Sequence, residues 1–176
     1  MHAIISQSRV ELVQGDITKE DTEAIANAAN SGLRGGGGVD GAIHRAAGPS
    51  LMAELRQKYS GCPTGSAVIT KGGKLKASYV LHAVGPVYRG KENDAKLLAS
   101  AYSTCLKLCT ENNIKSVAFP SISTGVYGYP IEEASRIALK TIIGYLKEHP
   151  EIELVKMVLF SHSDYTTYKH ALEEIL

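Results

Sequence analysis

The stretch Asn30-Ser-Gly-Leu-Arg-Gly-Gly-Gly-Gly-Val-Asp40 decides how this chain is interpreted, because it places four successive glycines directly before a helical pattern. Residues without a Cβ let the backbone approach a ligand closely and present several N–H groups to it. The apolar residues that follow have helical spacing: Val39, Ala42, Ile43, Ala46 and Ala47. The glycines therefore lead into a helix N-terminus, and the stretch predicts an anion-binding loop with Asp40 in the first helical turn beside it.

Two common glycine motifs overlap this loop, and the surrounding residues argue against both. Gly36, Gly38 and Gly41 match G-x-G-x-x-G, the fingerprint of dinucleotide-binding folds. The apolar segment around residues 24–29 ends too early for the tight turn of that fold, and residues 55–91 contain no Asp or Glu to bind a ribose. No Gly-Lys-Ser or Gly-Lys-Thr follows a glycine cluster, which excludes a P-loop.

Length and charge limit the class of protein. The chain has 176 residues, of which 44% are hydrophobic, so we expect one buried core and a single domain over residues 1–176. The 19 basic and 18 acidic residues give a net charge of +1, which provides no broad field for nucleic-acid binding. No secretory signal pattern opens the chain and no apolar run reaches membrane length, so we expect a cytoplasmic protein without a membrane partner.

Strands and helices alternate along the chain. The predicted strands are short and apolar, as in the buried centre of a largely parallel sheet: residues 9–14, 23–28, 66–70, 78–84, 115–119 and 154–160. The predicted helices lie near residues 38–47, 50–59, 94–112, 130–147 and 164–175. Helices on both sides of one sheet give an α/β fold, a three-layer α/β/α sandwich with a central mixed, largely parallel sheet.

Cys105 and Cys109 fall on an apolar helical stripe, which predicts buried free thiols. The lysines of residues 71–77 lie in a predicted solvent-exposed turn and favour solubility.

Ligands of such a fold bind at the carboxyl ends of the strands. Asp16 follows the first predicted strand, where it can cap a short helix or accept from the amino group of a base. The four-glycine loop follows the second strand, and Pro120–Pro130, a further glycine-containing loop before a helix, follows the fifth. Two anion-binding loops at one sheet edge predict a diphosphate ligand.

Five motifs run through nearly the whole chain. They are Gly15-Asp-Ile-Thr18, Asn27-Ala-Ala-Asn30, GGGGVDGAIHRAA over residues 35–47, His82-Ala-Val-Gly-Pro86 and Ser123-Thr-Gly-Val-Tyr-Gly128. In these motifs, their order and their spacing the chain resembles the macrodomains, and within them the MacroD-type ADP-ribosyl hydrolases, a group with O-acetyl-ADP-ribose deacetylase activity. The resemblance implies the macrodomain fold and ADP-ribose as the ligand, without a cofactor.

The resemblance also implies which residues bind ADP-ribose. Asp16 is expected at the adenine amino group, with the backbone of Ile17 nearby and Phe160 near the adenine face. The diphosphate and the distal ribose are expected between two loop segments: Gly36, Gly37, Gly38 and Val39 on one side, and Ser123, Thr124, Gly125, Val126 and Tyr127 on the other.

The resemblance assigns the chemistry to Asn30 and Asp40. An amide can hold a ribose hydroxyl, and a carboxylate can orient or deprotonate a water that attacks an ester at the distal ribose. A carboxylate at a helix N-terminus is stabilised in its charged form, so positioning of water can matter as much as proton abstraction. The alternative is structural, with Asn30 capping a turn and Asp40 binding helix N–H groups. His44 lies one helical turn after Asp40 and is expected to support it by pairing.

Three classes of function follow from these residues. The favoured class is a hydrolase that removes mono-ADP-ribose from acidic side chains of proteins and deacetylates O-acetyl-ADP-ribose, because both substrates are esters of ribose. The second is a non-catalytic ADP-ribose reader, against which the presence of both Asn30 and Asp40 argues. The third is a glycohydrolase of the polymer, whose paired glutamates are replaced here by Val39-Asp40. No Cys and His cluster near the glycine loop supports a metal site.

Overall fold

Seven strands and five helices make up the structure, a computed structural model that describes all 176 residues. The strands are His2–Ile5 (β1), Ser8–Gln14 (β2), Ala24–Ala28 (β3), Ala67–Lys71 (β4), Tyr79–Ala83 (β5), Ser116–Phe119 (β6) and Leu154–Leu159 (β7). The helices are Gly38–Ala47 (α1), Ser50–Lys58 (α2), Glu92–Glu111 (α3), Ile131–Glu148 (α4) and His162–Ile175 (α5), and a short 3₁₀ turn covers Ile17–Lys19.

All seven strands form one sheet in the order β1-β2-β7-β6-β3-β5-β4. The five inner strands run parallel to one another, and each edge strand is antiparallel to its neighbour. Ala24 in the central strand β3 pairs with Tyr79 on one side and with Val117 on the other. The sheet is therefore mixed and largely parallel, as the sequence predicts.

Helices cover both faces of the sheet. Helices α3, α4 and α5 pack together on one face, and α1 packs with α2 on the other. Successive side chains of β3 point to opposite faces of the sheet, so this strand contributes to the core on each face. Ala24 and Ala26 pack in the core under α3, α4 and α5, whereas Ile25 packs in the cluster that contains Ile43 of α1. The predicted three-layer sandwich is confirmed.

The buried stripe of α3 contains the predicted free thiols. Cys105 and Cys109 are fully buried and unpaired. Burial raises the pKa of both thiols, to about 12 for Cys109, so they remain protonated core residues.

No helix of the structure combines the length and the apolar character needed to cross a bilayer.

The predicted elements are all present, with ends within two residues of the predicted ones, but one strand was not predicted. Strand β1 has only four residues, alternating between exposed and buried. Its turn into β2 uses Ser6, whose φ of 56° lies in the left-handed region without a glycine or asparagine to indicate it. The lysine-rich turn also begins later than expected, because Lys71 still belongs to β4.

The sheet order places a crevice where the chain changes direction. Strands β3 and β6 are neighbours, yet α1 follows β3 on one face of the sheet and α4 follows β6 on the other. Loops that leave adjacent parallel strands toward opposite faces open a cleft at the carboxyl ends of those strands. Both glycine-containing loops start at this point.

Candidate active site

A cleft with two lobes runs along the carboxyl ends of the parallel strands. One lobe, the Asp40 lobe, has a volume of about 310 Å³ and is lined by the segments after β3, β5 and β6. The other, the Asp16 lobe, has a volume of about 500 Å³ and is lined mainly by the segments after β2, β6 and β7. Four residues line both lobes: Gly38, Val39, Ser121 and Gly125. The two predicted anion-binding loops therefore meet at the junction of the lobes.

The glycine loop reaches this junction through two left-handed positions. Gly35 has φ of 77° and Gly38 has φ of 56°, values that strongly favour glycine. A Cβ on Gly41 would lie 2.5 Å from the carbonyl oxygen of Gly36, so the first turn of α1 can approach the loop only without a side chain there. Gly37, the N-cap of α1, has open space around its Cβ position.

Asn30 holds the glycine loop in place. Its Nδ2 donates to the carbonyl oxygen of Gly35 at 2.8 Å, and its Oδ1 accepts from the backbone N–H of Arg34 at 3.0 Å. The turn-capping role that the sequence left open for Asn30 is thus present. An amide nitrogen carries two hydrogens, so one donor of Nδ2 is still available.

The carboxylate of Asp40 binds side chains rather than helix N–H groups. Its Oδ1 accepts from Asn27 Nδ2 at 2.8 Å and lies 3.3 Å from His44 Nε2, which gives the expected pairing with His44. Its Oδ2 lies 3.6 Å from the Cβ position of Gly36, and Asn30 Nδ2 lies 4.0 Å from the same point. The two polar side chains therefore converge over a glycine that lines the Asp40 lobe.

A buried polar chain extends behind Asp40 across the sheet. Asn27 Nδ2 lies 3.2 Å from His82 Nδ1, and His82 Nε2 lies 2.9 Å from Thr70 Oγ1. An amide N–H can only donate, so Nδ1 of His82 accepts and its proton is on Nε2. Burial, with a smaller contribution from His44, lowers the pKa of His82 to about 3, so the ring is neutral at ordinary pH. The carbonyl oxygen of the Asn27 amide is buried without a partner.

The loop after β6 is held from beneath by two tyrosine hydroxyls. Tyr102 Oη accepts from the N–H of Ile122 at 2.9 Å and donates to the carbonyl oxygen of Pro120 at 3.3 Å. Tyr168 Oη lies 2.7 Å from Ser121 Oγ. Both tyrosines are fully buried, and burial raises the pKa of Tyr102 well above its usual range and that of Tyr168 to about 12. These hydroxyls stay protonated and fix the start of the loop.

Ser123 bends the same loop toward the Asp40 lobe. Its φ of 69° lies in the left-handed region, and its carbonyl oxygen accepts from the N–H of Tyr129 at 2.9 Å. Gly85 leaves the room for this bend, because an added Cβ would collide with Ser123 Oγ and lie 2.5 Å from Ile122 Cγ2. Ser123 Oγ is buried without a partner in the protein.

Asp16 caps the 3₁₀ turn with one of its oxygens. Oδ1 accepts from the N–H of Thr18 at 2.9 Å and from its hydroxyl at 2.7 Å. The Thr18 hydroxyl and N–H lower the pKa of the Asp16 carboxyl, which stays ionised. The Asp16 lobe also contains Phe160, a residue that is 83% exposed, and Asp164 in the first turn of α5.

Every residue that the sequence assigned to the site lines one of the lobes. The Asp40 lobe contains Asn30, Gly36, Gly37, Asp40, Ser123, Val126 and Tyr127. The Asp16 lobe contains Asp16, Ile17, Thr124 and Phe160, and Gly38, Val39 and Gly125 line both. No group of three or more His, Cys, Asp or Glu side chains is arranged to hold a metal ion.

The supporting residues were not found from the sequence. Asn27 and His82 are part of motifs, and a polar residue inside an otherwise apolar strand is the signal that could have drawn attention to them. Asp164 is missed because it opens a helix whose surroundings depend on the sheet order. Tyr102 lies one turn before Cys105 on the same apolar helical stripe, a pattern that predicts burial but not the partner of its hydroxyl.

Comparison with known proteins identifies the family. The Macro domain family model matches residues 26–138, which include both glycine-containing loops, the second half of β3, and all of α1, β5 and β6. The chain belongs to the macro domain family. The mixed sheet and the position of the cleft described above are thus those of a macro domain.

Several relatives match this macro domain over almost its full length. A macro domain-containing protein of Caldanaerobacter subterraneus is 54% identical, with 96% of this chain and 98% of that protein covered. An O-acetyl-ADP-ribose deacetylase of Cronobacter turicensis is 51% identical, with 93% and 96% covered. The Oceanobacillus iheyensis macrodomain, solved with ADP, is 47% identical with a TM-score of 0.95, and 99% and 95% are covered. That protein has also been solved as mutant G37V with ADPR.

Proposed function

We propose that this macro domain binds ADP-ribose and hydrolyses esters of its distal ribose, with O-acetyl-ADP-ribose and mono-ADP-ribosylated acidic side chains as substrates. The convergence of Asp40 Oδ2 and Asn30 Nδ2 over Gly36 carries this proposal. A protein that only binds the ligand needs the cleft, whereas this pair adds a carboxylate and an amide at one end of it. The names of the relatives, which include O-acetyl-ADP-ribose deacetylases, support the same activity.

The shape of the cleft supports a single orientation for ADP-ribose. The adenine occupies the larger Asp16 lobe, where the ionised Asp16 accepts from its amino group and Phe160 covers one face. The diphosphate lies at the junction, where the N-terminus of α1 and the loop after β6 present backbone N–H groups. The distal ribose then occupies the Asp40 lobe, with Tyr127 against it.

In this orientation, hydrolysis of the ester consumes one water molecule. The free oxygen of Asp40 accepts a hydrogen bond from the water and either orients it or takes its proton. The remaining donor of Asn30 holds a ribose hydroxyl. The ester C–O bond breaks, the water supplies hydroxyl and proton to the two products, and a carboxylic acid and free ADP-ribose are released. Asn27 binds the other oxygen of Asp40 and so fixes the direction of the reactive one.

The acetyl ester and the protein-linked ester present the same bond to this site. In the first, the carboxyl group belongs to acetate, and in the second it belongs to an aspartate or glutamate side chain. The Asp40 lobe opens to solvent beside the exposed residues Gly36, Gly37 and Val126, so a larger acyl group can project outward. We therefore extend the proposal from the small ester to modified proteins.

One observation favours a second candidate, a non-catalytic ADP-ribose reader. Both polar atoms of Asn30 already bind the loop backbone, a structural role that would suffice to explain its presence. The reader and the hydrolase share the cleft and differ in turnover.

Incubation of the protein with O-acetyl-ADP-ribose and with a glutamate-linked ADP-ribosyl peptide separates the two candidates. Mass spectrometry of the products should detect free ADP-ribose from both substrates, and isotope-labelled water identifies which C–O bond breaks. Calorimetric binding of ADP-ribose without any product from either substrate would establish the reader and overturn the hydrolase.

A further inference from the structure

Charge is distributed very unevenly along this nearly neutral chain. Residues 31–91 contain nine Lys and Arg but only two acidic residues, Asp40 and Glu54, and the rest of the chain contains ten Lys and Arg and sixteen acidic residues. The segment carries a charge of +7 and the remainder −6, which together give the net +1. Both acidic residues of the segment are engaged, because Asp40 is buried in the polar chain and Glu54 binds Lys58 and the N–H of Lys71.

Two arginines of this segment lie next to residues that line the Asp40 lobe, Arg34 beside Asn30 and Arg45 beside Gly36. The backbone N–H of Arg34 binds Asn30, and its side chain covers Gly32. The guanidinium of Arg45 extends back along α1, so that its Nη1 lies 3.0 Å from the Cβ position of Gly41, beside the Gly36 carbonyl. Both side chains are exposed. The acyl group of a substrate bound in the lobe would project out of the lobe close to these two charged side chains.

The positive charge continues along α1 to the lysine-rich turn. The N–H of Lys74 binds the carbonyl oxygen of Ala47 at the end of α1, and its side chain packs over Gly48. Helix α1 has ten residues, which is a length of about 15 Å, and an extended peptide of about five residues spans that distance. We define the basic face as the exposed side chains of Arg34, Arg45, Arg56, Lys71, Lys74 and Lys76.

We propose that the basic face binds an acidic segment of the protein from which ADP-ribose is removed, and so selects modified side chains that lie among other acidic residues. This inference rests on the proposed hydrolysis of protein-linked esters. The carrier peptide leaves the Asp40 lobe at Arg34 and Arg45 and runs along α1 toward Lys74 and Lys76. The complementary charges accelerate association and fix the direction of the peptide without entering the chemistry.

The composition of the face favours a protein segment over a nucleic acid. None of the exposed residues in the segment 31–91 is aromatic, so the face offers no platform on which bases could stack. Tyr59, half-buried beside α2, uses its hydroxyl to bind the carbonyl oxygen of Ile69. An acidic segment of a modified protein also contains both the carboxylate that bears ADP-ribose and unmodified carboxylates next to it.

The test compares three substrates: O-acetyl-ADP-ribose, and two peptides with ADP-ribose on the same glutamate, one flanked by glutamates and one by glutamines. The variant Lys74→Glu/Lys76→Glu reverses charge far from the loop, and Arg45→Glu reverses it at the lobe. Lys107→Glu/Lys140→Glu, on exposed positions of α3 and α4 on the other face of the sheet, is the control with the same change in charge.

At low salt, the Lys74→Glu/Lys76→Glu variant should lose about tenfold in kcat/KM for the acidic peptide, while the glutamine-flanked peptide and O-acetyl-ADP-ribose change by less than about twofold. The loss should largely disappear at about 0.5 M salt, because exposed charges are then screened. An equal loss on all three substrates, or a control with the same loss, would overturn the inference. Stronger inhibition by a single-stranded oligonucleotide than by an unmodified acidic peptide of equal charge would assign the face to nucleic acid instead. Wild-type deacetylation without cleavage of either peptide would refute the protein substrate itself.

Discussion

The two aspartates that the sequence assigned to the site, Asp16 and Asp40, lie in different lobes of the cleft and differ in burial and in partners. Asp16 is exposed, and only its neighbour Thr18 binds it. Asp40 is 6% exposed and belongs to a chain that crosses from β3 through β5 to Thr70 on the edge strand β4. A local cap can be replaced at small cost, whereas a chain of buried hydrogen bonds restricts the Asp40 carboxylate to one geometry. Under the proposed function, the lobes separate recognition of the ligand from orientation of the reactive group.

Removal of the Asp40 carboxylate should have the largest effect. In Asp40→Ala we expect hydrolysis of O-acetyl-ADP-ribose to fall by about 10² to 10⁴, the usual contribution of oriented acid–base groups. The affinity for free ADP-ribose should change by less than about tenfold, because the diphosphate and adenine are bound elsewhere. Turnover assays and calorimetry on the same preparation measure both quantities. Near-normal hydrolysis by the folded variant would move the chemistry to the loop after β6.

Two further variants sharpen this result. Asn27→Leu removes the donor to Asp40, so it should lower kcat of the otherwise wild-type protein and cause no further loss of kcat in the Asp40→Ala background.

Asn30→Ala also removes the hydrogen bonds that hold the glycine loop at Gly35 and Arg34, so it should weaken ADP-ribose binding as well as turnover.

The buried end of the network should set the acid stability of the protein. The unfolded chain protonates His82 below its ordinary pKa of about 6.5, whereas the folded chain does so only near a pKa of about 3. The unfolded state therefore binds the extra proton between these values, and stability falls with falling pH by up to about 1.4 kcal/mol per unit. Urea unfolding from pH 7 to pH 4 should give a steeper decline for the wild type than for His82→Gln. His170→Gln, on an exposed helix position, is the control, and equal slopes for both variants would contradict the neutral buried ring.

Two glycines of the cleft should differ in their effect on affinity. Gly85→Ala forces Ser123 and Ile122 away, which costs about 1–3 kcal/mol of folding stability by overpacking. Because Ser123 and Ile122 line the Asp40 lobe, calorimetry should also give ADP-ribose binding weaker by about tenfold. Gly37→Val meets open space in the protein and should weaken ADP-ribose binding only a few-fold. A larger loss in Gly37→Val than in Gly85→Ala would show that the diphosphate contacts the Gly37 position directly.

The exposed aspartate should give the smallest effect. Asp16→Ala removes an acceptor from the adenine amino group, and an exposed hydrogen bond contributes about 0.5–1.5 kcal/mol. The preference for ADP-ribose over its inosine analogue should therefore decrease by about two- to tenfold. Competition titrations with both ligands measure the ratio. Unchanged discrimination would remove Asp16 from base recognition and leave it as the cap of the 3₁₀ turn.

Patterns along the chain predict most of the fold, and every residue that they assign to the site lines the cleft. Helix α4 is found because a proline precedes it and its apolar residues share one face, and strands such as β6 are found because they are short and apolar. Strand β1 is missed because its turn at Ser6 adopts a left-handed conformation that the residue type does not indicate.

The residues behind the lining could not be predicted, because their contacts depend on the order of the strands. His82 meets Asn27 because β5 pairs with β3, and Thr70 meets His82 because β4 pairs with β5. Tyr168 reaches Ser121 from a helix 47 residues away. Periodicity identifies which side of a helix is buried, but the hydrogen-bond partner of a buried hydroxyl depends on the tertiary structure.

The hydroxyl of Tyr102 has a consequence for motion. The amide hydrogen of Ile122 belongs to a loop that faces the cleft, yet its acceptor is a fully buried side chain of α3. Such an amide exchanges with solvent only when the core opens, so its protection should approach that of the central strands. The start of the loop, at Ser121 and Ile122, is therefore anchored to the core. We expect association of ADP-ribose to need no rearrangement of these two residues.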